Sequence, residues 1–458
     1  MQEINSRLLV LEMLLAVSKE EQGAYSHVVV RDVLDKYSYL SRQEKGFIKR
    51  LFEGTLERAI ELDYCMDCFS KTPSRKMKPV IRSILRMGVY QILYMDSVPD
   101  SAACNEAVKL AQKKGFSTLK GFVNGVLRSV ARNKTSITYP DLSVAYSMPE
   151  WIVSLWQEQL GREQTEQLLA GLLAEHPVTV RFRRPATMAE DIAAVRCALE
   201  EQGGAMEAHP YLTYAYRIYK TDDITQLPGY EEGAFVIQDV SSMLAVEALG
   251  LRDATAPLRV LDVCAAPGGK SILAADLPET AGITEYTVTA RDISDSKVCM
   301  MEENFKRCRL PRISAEVWDA TQPDVTLAGK ADIVIADVPC SGLGVIGKKR
   351  DIKYKVTPES MAQVEELQER ILRTAVTYLK EGGRLLFSTC TINREENEKH
   401  FEWIKDELKL TPVSLNNMLP ECLHSETTEK GYLQLLPGIH DTDGFFISVF
   451  TKAITSRE

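Results

Sequence analysis

Between residues 258 and 390 one pattern recurs: a short apolar run, a turn of small residues or an acid, then a stretch with helical spacing. The runs "LRVLDV", "TVTARD", "ISAEVWD", "DIVIADV" and "RLLFSTC" alternate with helical stretches such as "SDSKVCMMEENFKR" and "PESMAQVEELQERILRTAVTYL". Strands separated in this way by helices predict an α/β domain built on a doubly wound parallel sheet. Ligands of such sheets sit at the carboxyl ends of the strands, so the chemistry is to be sought there.

The rest of the chain follows other periods. From Ile4 to about Asn133 the apolar residues recur at helical spacing, as in "RLLVLEMLLAV", "VIRSILRMGVYQILYM" and "GFVNGVLRSVAR", which predicts an all-α bundle of six or seven helices. A polar linker is expected near residues 134–147, where Pro, Ser and Thr break the period. Residues 148–240 then read as a small α+β module, with helices at "PEWIVSLWQEQL" and "EDIAAVRCALEEQG" and strands at "VTVRFRR" and "TYAYRIYK". The expected domains are thus 1–140, 148–240 and 241–458, in keeping with about 150 residues per domain for a chain of 458.

Composition sets further bounds. The chain is 45% apolar and 26% charged, as globular proteins are, and no stretch of about 18 uncharged apolar residues occurs. The apolar N-terminal segment is interrupted by Glu3 and Glu12 and lacks a cleavage site, so it reads as a soluble helix and the chain as cytoplasmic. Ten scattered cysteines read as reduced thiols. Cys65 and Cys68 form a lone C-x-x-C without a second ligand pair, so no metal is expected. The net charge of −9 hides an asymmetry: residues 1–140 carry 22 Lys and Arg against 15 Asp and Glu, net +7, which leaves the remainder at −16. A basic front end suits a domain that meets phosphates.

The strand ends narrow the chemistry. The first strand runs into "LDVCAAPGGKS", where Cys264, Ala265, Ala266, Pro267, Gly268, Gly269 and Lys270 form a turn that lets backbone amides approach a ligand at a helix start. It is not a phosphate-binding P-loop, because Cys264 stands where that motif requires glycine. Asp292 ends the second strand about 20 residues on, where an acid commonly holds ribose hydroxyls. That suits an adenosyl cofactor, either a dinucleotide or S-adenosylmethionine, although G-x-G-x-x-G is missing. Asp319 and Asp337 end the third and fourth strands, and two thiols, Cys340 and Cys390, follow the fourth and end the fifth.

Four stretches, "VLDVCAAPGGKS", "DVPCSGLG", "STCTINREENE" and "DGFFISVF", together resemble the motifs of RNA cytosine-C5 methyltransferases. Through "RMGVYQILYMDSVP" and "GFVNGVLR" the bundle resembles the NusB-like RNA-binding domain that precedes the catalytic domain in the bacterial Sun/Fmu (RsmB) type of 16S rRNA methyltransferase. The resemblance implies a class I methyltransferase sheet of Rossmann-like form, with S-adenosylmethionine over Cys264 to Lys270, its ribose on Asp292 and its adenine near Asp319. Asp337 then faces the methionine end and the target base. Cys390 is implied as the nucleophile and Cys340 as the residue that assists product release. Two thiols suit this chemistry: a thiolate adds to carbon 6 of cytosine to activate carbon 5, and the methylated adduct must then be released. Lys270 is a candidate for lowering the pKa of Cys390.

The implied substrate is 16S rRNA or a small-subunit assembly intermediate, bound by a monomer, because duplex stacking hides carbon 6 and the target base must be unpaired or extruded. Lys348, Lys349, Arg350 and Lys353, in "GKKRDIKYK", are expected to meet phosphates beside the base, and Arg181 to lie on an RNA-facing strand edge. Departures from the family pattern fall here: Phe182 and Arg183 follow Arg181 where an arginine-asparagine pairing is usual, and no proline precedes "DIK". Three rivals are an inert NusB-like assembly factor, a tRNA cytosine-C5 methyltransferase, and methyl transfer to protein or to an adenine or guanine nitrogen. Intact "APGG" and Cys390 argue against inertness, and "DVPCSG" in place of N-P-P-Y argues against nitrogen transfer.

Overall fold

The computed structural model describes residues 5–18, 25–221 and 223–454; residues 1–4 and 19–22 of the expected N-terminal helical stretch lie outside them. The chain divides into two compact units, one of residues 1–173 with 346–355, the other of residues 174–345 with 356–458.

The first unit is helical. Seven helices, Ser6–Val17, Ser26–Lys36, Arg42–Glu57, Ala59–Asp67, Pro79–Tyr94, Asp100–Lys113 and Lys120–Asn133, enclose a core that includes Leu11, Ile48, Phe52, Ile84 and Leu127. Glycine permits close helix contacts: a Cβ on Gly54 would run into Tyr90, and one on Gly88 would lie 2.7 Å from the Leu127 side chain. Cys65 lies in this core, where burial pushes its thiol up to about 12, while Cys68 is exposed. Its C-x-x-C neighbour therefore caps a packed helix.

The expected linker is bound to this bundle. Tyr139 Oη donates to Glu61 at 2.5 Å, Tyr64 Oη donates to the carbonyl of Thr138 at 2.9 Å, and fully buried Ser147 accepts from the amide of Ile60 at 3.0 Å. Helices Glu150–Leu160 and Arg162–Leu173 also belong to this unit, so the expected 148–240 module is divided. Its strands and the helix Met188–Glu201 join the second unit.

The basic run after the fourth strand belongs to the helical unit as well, which corrects the reading of Arg350 and Lys353 as phosphate contacts. Arg350 pairs with Glu53 at 3.1 Å and Glu57 at 2.9 Å. Lys353 is 1% exposed, and its Nζ donates to the carbonyls of Glu57 at 2.7 Å and Ser147 at 2.6 Å. Burial pushes its ammonium down to about 7. Between them, buried Asp351 accepts from the amide and hydroxyl of Ser26 at 3.1 and 2.5 Å. Lys348 and Lys349 remain exposed.

The second unit holds two sheets. Strands β1 (Val178–Phe182), β2 (Ala205–Ala208), β3 (Ala215–Tyr219) and β4 (Phe235–Ile237) form an antiparallel sheet in the order β2-β3-β1-β4. Strands β5 (Leu258–Asp262), β6 (Tyr286–Asp292), β7 (Ile313–Val317), β8 (Ala331–Asp337) and β9 (Leu379–Thr389) form the parallel core of the larger sheet. Strands β10 (Leu410–Pro412), β11 (Tyr432–Leu435) and β12 (Phe445–Lys452) complete it antiparallel to β9, in the order β10-β12-β9-β8-β5-β6-β7 with β11 on β12. The five predicted parallel strands are all present. The chain runs from β5 outward to β7 and returns to β8 on the other side of β5, so the order reverses between β5 and β8, the place where such sheets open a binding crevice.

Arg181 is also corrected. Arg181 on β1 and Arg183 just past it both turn onto helix Gly269–Thr280, where they pair with Asp276 at 2.6 and 2.8 Å. Arg183 additionally donates to the carbonyls of Gly233 at 2.7 Å and Cys308 at 3.0 Å, while Phe182 packs on the opposite face with Phe235 and Tyr216. Arg181 is 1% exposed, so it joins the two sheets' layers instead of meeting RNA. Replacing Asp276 by Ala strands two buried guanidinium groups, and chemical denaturation of the full chain is expected to show a loss of about 3–5 kcal/mol. A loss below about 1 kcal/mol, the worth of a surface pair, would contradict the structural role given to this ion pair.

Candidate active site

Asp262, at the end of β5, is fully buried and accepts from the hydroxyl of Ser271 at 2.6 Å; burial pushes its carboxyl up to about 7. The turn beyond it is tied to the sheet, with Val263 donating to the carbonyl of Ile335 on β8 at 3.0 Å and Ala265 to that of Arg291 on β6 at 2.8 Å. Gly268 adopts φ +98°, a left-handed conformation, and a Cβ there would press Phe305 at 2.8 Å. Helix Gly269–Thr280 starts at this point, so the first amides of its opening turn have no partner within the helix. Cys264 is a packing thiol: burial, followed by the charges of Asp262 and Asp337, holds it well above the usual range.

The other strand-end acids differ in their surroundings. Asp292 is buried at the end of β6, accepts from the amide of Ser294 at 3.2 Å and has Lys297 at 3.4 Å. Asp319 lies just past β7 and closes a local turn on Thr321, whose amide at 2.9 Å and hydroxyl at 2.8 Å hold its carboxyl below the usual range. Asp337 ends β8 and accepts from Ser388 Oγ of β9 at 2.7 Å and from Lys270 Nζ at 2.7 Å. Lys270 also donates to Ser242 Oγ at 3.2 Å and lies 5.0 Å above the ring of Phe445. Its ammonium is therefore committed to Asp337.

The two thiols meet. Asp337 pairs with Ser388 in the β8–β9 register, and Cys340 and Cys390 follow these residues by three and two positions. Their sulfurs are 3.0 Å apart, and the amide of Cys390 donates to Cys340 Sγ at 3.2 Å. The Cys340 thiol is raised well above its usual range, first by its hydrogen bond with Cys390 and then by burial. Gly344 donates to the Cys390 carbonyl at 3.0 Å, and Gly444 to that of Gly344 at 2.9 Å. A Cβ on Gly344 would fall on the Gly444 carbonyl, so this close approach of three loops requires glycine.

One group went unremarked in the sequence. Glu396, inside "STCTINREENE", is fully buried and accepts from the amide and hydroxyl of Ser341 at 2.8 and 2.5 Å, from Asn393 Nδ2 at 3.1 Å and from Gln368 Nε2 at 3.0 Å. Its neighbour Asn397, also buried, accepts from Thr389 Oγ1 at 2.5 Å and donates to the carbonyl of Thr391 at 3.1 Å. The available signal was an acid-rich run directly after a strand-end thiol, which charge alone reads as the start of the solvated helix Glu398–Glu407. Among the described residues, no three His, Cys, Asp or Glu side chains group so as to hold a metal ion, and no helix is long and apolar enough to cross a membrane.

Residues 248–451 match the family described as 16S rRNA methyltransferase RsmB/F, and residues 4–132 match the NusB family. The probable ribosomal RNA small subunit methyltransferase B of Bacillus subtilis is 35% identical over 99% of this chain and 100% of its own length. The chain belongs to the ribosomal RNA small subunit methyltransferase B family. It is accordingly an S-adenosylmethionine-dependent rRNA methyltransferase by family, with a NusB domain ahead of the catalytic one. Its fold matches the crystal structure of PH0851 with a TM-score of 0.76, at 21% identity over 98% of this chain and 99% of that one. It also matches NSun6 from Pyrococcus horikoshii, solved with SFG, with a TM-score of 0.54, at 19% identity over 67% of this chain and 99% of that one.

Proposed function

We propose that this methyltransferase B family member methylates carbon 5 of a cytosine in 16S rRNA through a covalent adduct on Cys390. The observation that carries this reading is the pair of thiols 3.0 Å apart beyond the carboxyl ends of adjacent parallel strands. A packing cysteine needs no second sulfur at the open edge of a sheet, whereas addition and release at one base call for two groups.

The residues around the crevice fit S-adenosylmethionine. The amides at the start of helix Gly269–Thr280 suit its carboxylate, and the buried carboxylate of Asp292 suits its ribose hydroxyls. Asp319 would serve the adenine, and Asp337, held by Lys270 and Ser388, would serve the methionine end. When bound, the sulfonium supplies an electrophilic methyl carbon and leaves as a neutral thioether. A solved relative, NSun6 from Pyrococcus horikoshii, carries SFG, which supports this assignment.

Cys390 Sγ, as thiolate, adds to carbon 6 of the cytosine, and the electron pair of the 5,6 double bond makes carbon 5 nucleophilic. The Cys340 thiol is raised well above its usual range, so it is not the attacking group. After methylation the proton on carbon 5 passes to a base, its electron pair restores the double bond, and the carbon 6–sulfur bond breaks with its pair returning to Cys390. Cys340, beside the departing sulfur, assists this step. Asp337 and Lys270 act as a fixed pair that shapes the space between donor and base. Of the basic run, exposed Lys348 and Lys349 are the residues we assign to phosphates.

Incubated with S-adenosylmethionine and small-subunit rRNA, the Cys340→Ala variant is expected to accumulate a covalent protein–RNA adduct on denaturing gels. Cys390→Ala is expected to form no adduct and transfer no methyl group; retained activity in Cys390→Ala would overturn the assignment. Asp292→Ala is expected to weaken S-adenosylmethionine binding about 10- to 100-fold by calorimetry, the worth of hydrogen bonds to a charged group. Unchanged affinity would remove Asp292 from the donor site.

A further inference from the structure

The loops that carry the two thiols share a single buried carboxylate. Glu396 is 0% exposed, and four neutral donors reach it: the amide and hydroxyl of Ser341, Asn393 Nδ2 and Gln368 Nε2. Burying a carboxylate is costly unless its lone pairs are filled, and four donors fill them. A neutral amide in the same place would turn an N–H₂ group toward at least one of those donors, so the site selects a carboxylate over its isostere.

The donors are placed around Cys340. Ser341 follows it in sequence, and Pro339, which precedes it, accepts from the same Gln368 Nε2 at 2.9 Å. Both peptide neighbours of Cys340 are thus tied to one cluster. The cluster also reaches the other thiol: Ser341 Oγ lies 2.6 Å from Thr391 Oγ1, the residue after Cys390, and Asn393 stands three residues past it. Such a tie between turn and strand end fixes how near the two sulfurs can come.

We infer that Glu396 is a positioning residue for the release half of the reaction, holding Cys340 beside Cys390 through Ser341 and Gln368. The inference rests on the roles proposed above for the two thiols. Addition to carbon 6 needs only Cys390, which stands on the β9 end and is held by Asn397 through Thr389 and Thr391. Release breaks the carbon 5–hydrogen bond, its proton going to a base and its pair to the double bond, and returns the carbon 6–sulfur pair to Cys390. Cys340 assists this second step, and only Cys340 depends on Glu396 through both of its chain neighbours.

The test uses the full chain with S-adenosylmethionine and a small-subunit rRNA transcript, comparing wild type, Glu396→Gln and Ser341→Ala with Cys340→Ala and Cys390→Ala as references. First-turnover methyl transfer, adduct on denaturing gels, steady-state turnover and melting temperature are measured. Glu396→Gln is expected to keep first-turnover transfer within about threefold of wild type, to accumulate adduct and to lose about tenfold or more in kcat, with KM for S-adenosylmethionine falling in step so that kcat/KM is kept. Ser341→Ala, which retains the amide bond to Glu396, is expected to show the same pattern more weakly, and it carries the test if Glu396→Gln does not fold. Transfer and turnover falling together without adduct, or neither changing, would overturn the inference. Activity in Cys390→Ala would instead overturn the reading of the thiols, so the two failures are distinguishable.

Discussion

Parallel pairing of β8 with β9, in register at Asp337 and Ser388, is the constraint on which the active site depends. Neighbouring strands lie about 4.8 Å apart, and both chains leave the sheet in the same direction. The residues just beyond their ends therefore have to meet. Cys340 and Cys390 come together across fifty residues of sequence, and Asp337 receives Ser388 from one side and Lys270 from the other. A one-residue slip in this pairing would turn β9 over and move Cys390 away from the crevice.

Reversal of strand order between β5 and β8 supplies the second half of the arrangement. It gathers the turn from Cys264 to Gly269 and Asp337 at the reversal point, with Asp292 one strand further out, where sheets of this kind bind their ligands. The small residues in these loops serve close approach of backbones, as where Gly344 meets Gly444. Buried carboxylates then lock the loops: Asp262 on Ser271, Glu396 on Ser341, and Asp276 on the paired arginines of β1.

The parallel strands were legible because each is an apolar run long enough to cross a sheet and ends in a residue capable of chemistry. Helical spacing likewise made the N-terminal bundle plain. What the sequence could not reveal were the partners of charged residues. Arg181 and Arg183 alternate with Phe182, which shows that they share a face but not that Asp276, more than ninety residues on, lies opposite. The basic run around Lys353 has the same composition whether it is solvated or buried, and carbonyls at Glu57 and Ser147 decide the matter. Glu396 was hidden for the same reason. An acid next to a helix start reads as surface until its four donors are seen, and these come from three separate residues, Ser341, Gln368 and Asn393.

Which sulfur attacks is the central claim, and trapping on a modified substrate tests it most directly. Small-subunit rRNA containing 5-fluorocytosine cannot lose the carbon 5 substituent as a proton, so the adduct persists after methyl transfer. Wild-type protein would be reacted with this RNA and S-adenosylmethionine, digested, and the cross-linked peptide located by mass spectrometry. The account predicts the nucleotide on Cys390; attachment to Cys340, or methylation without attachment to either thiol, would contradict it.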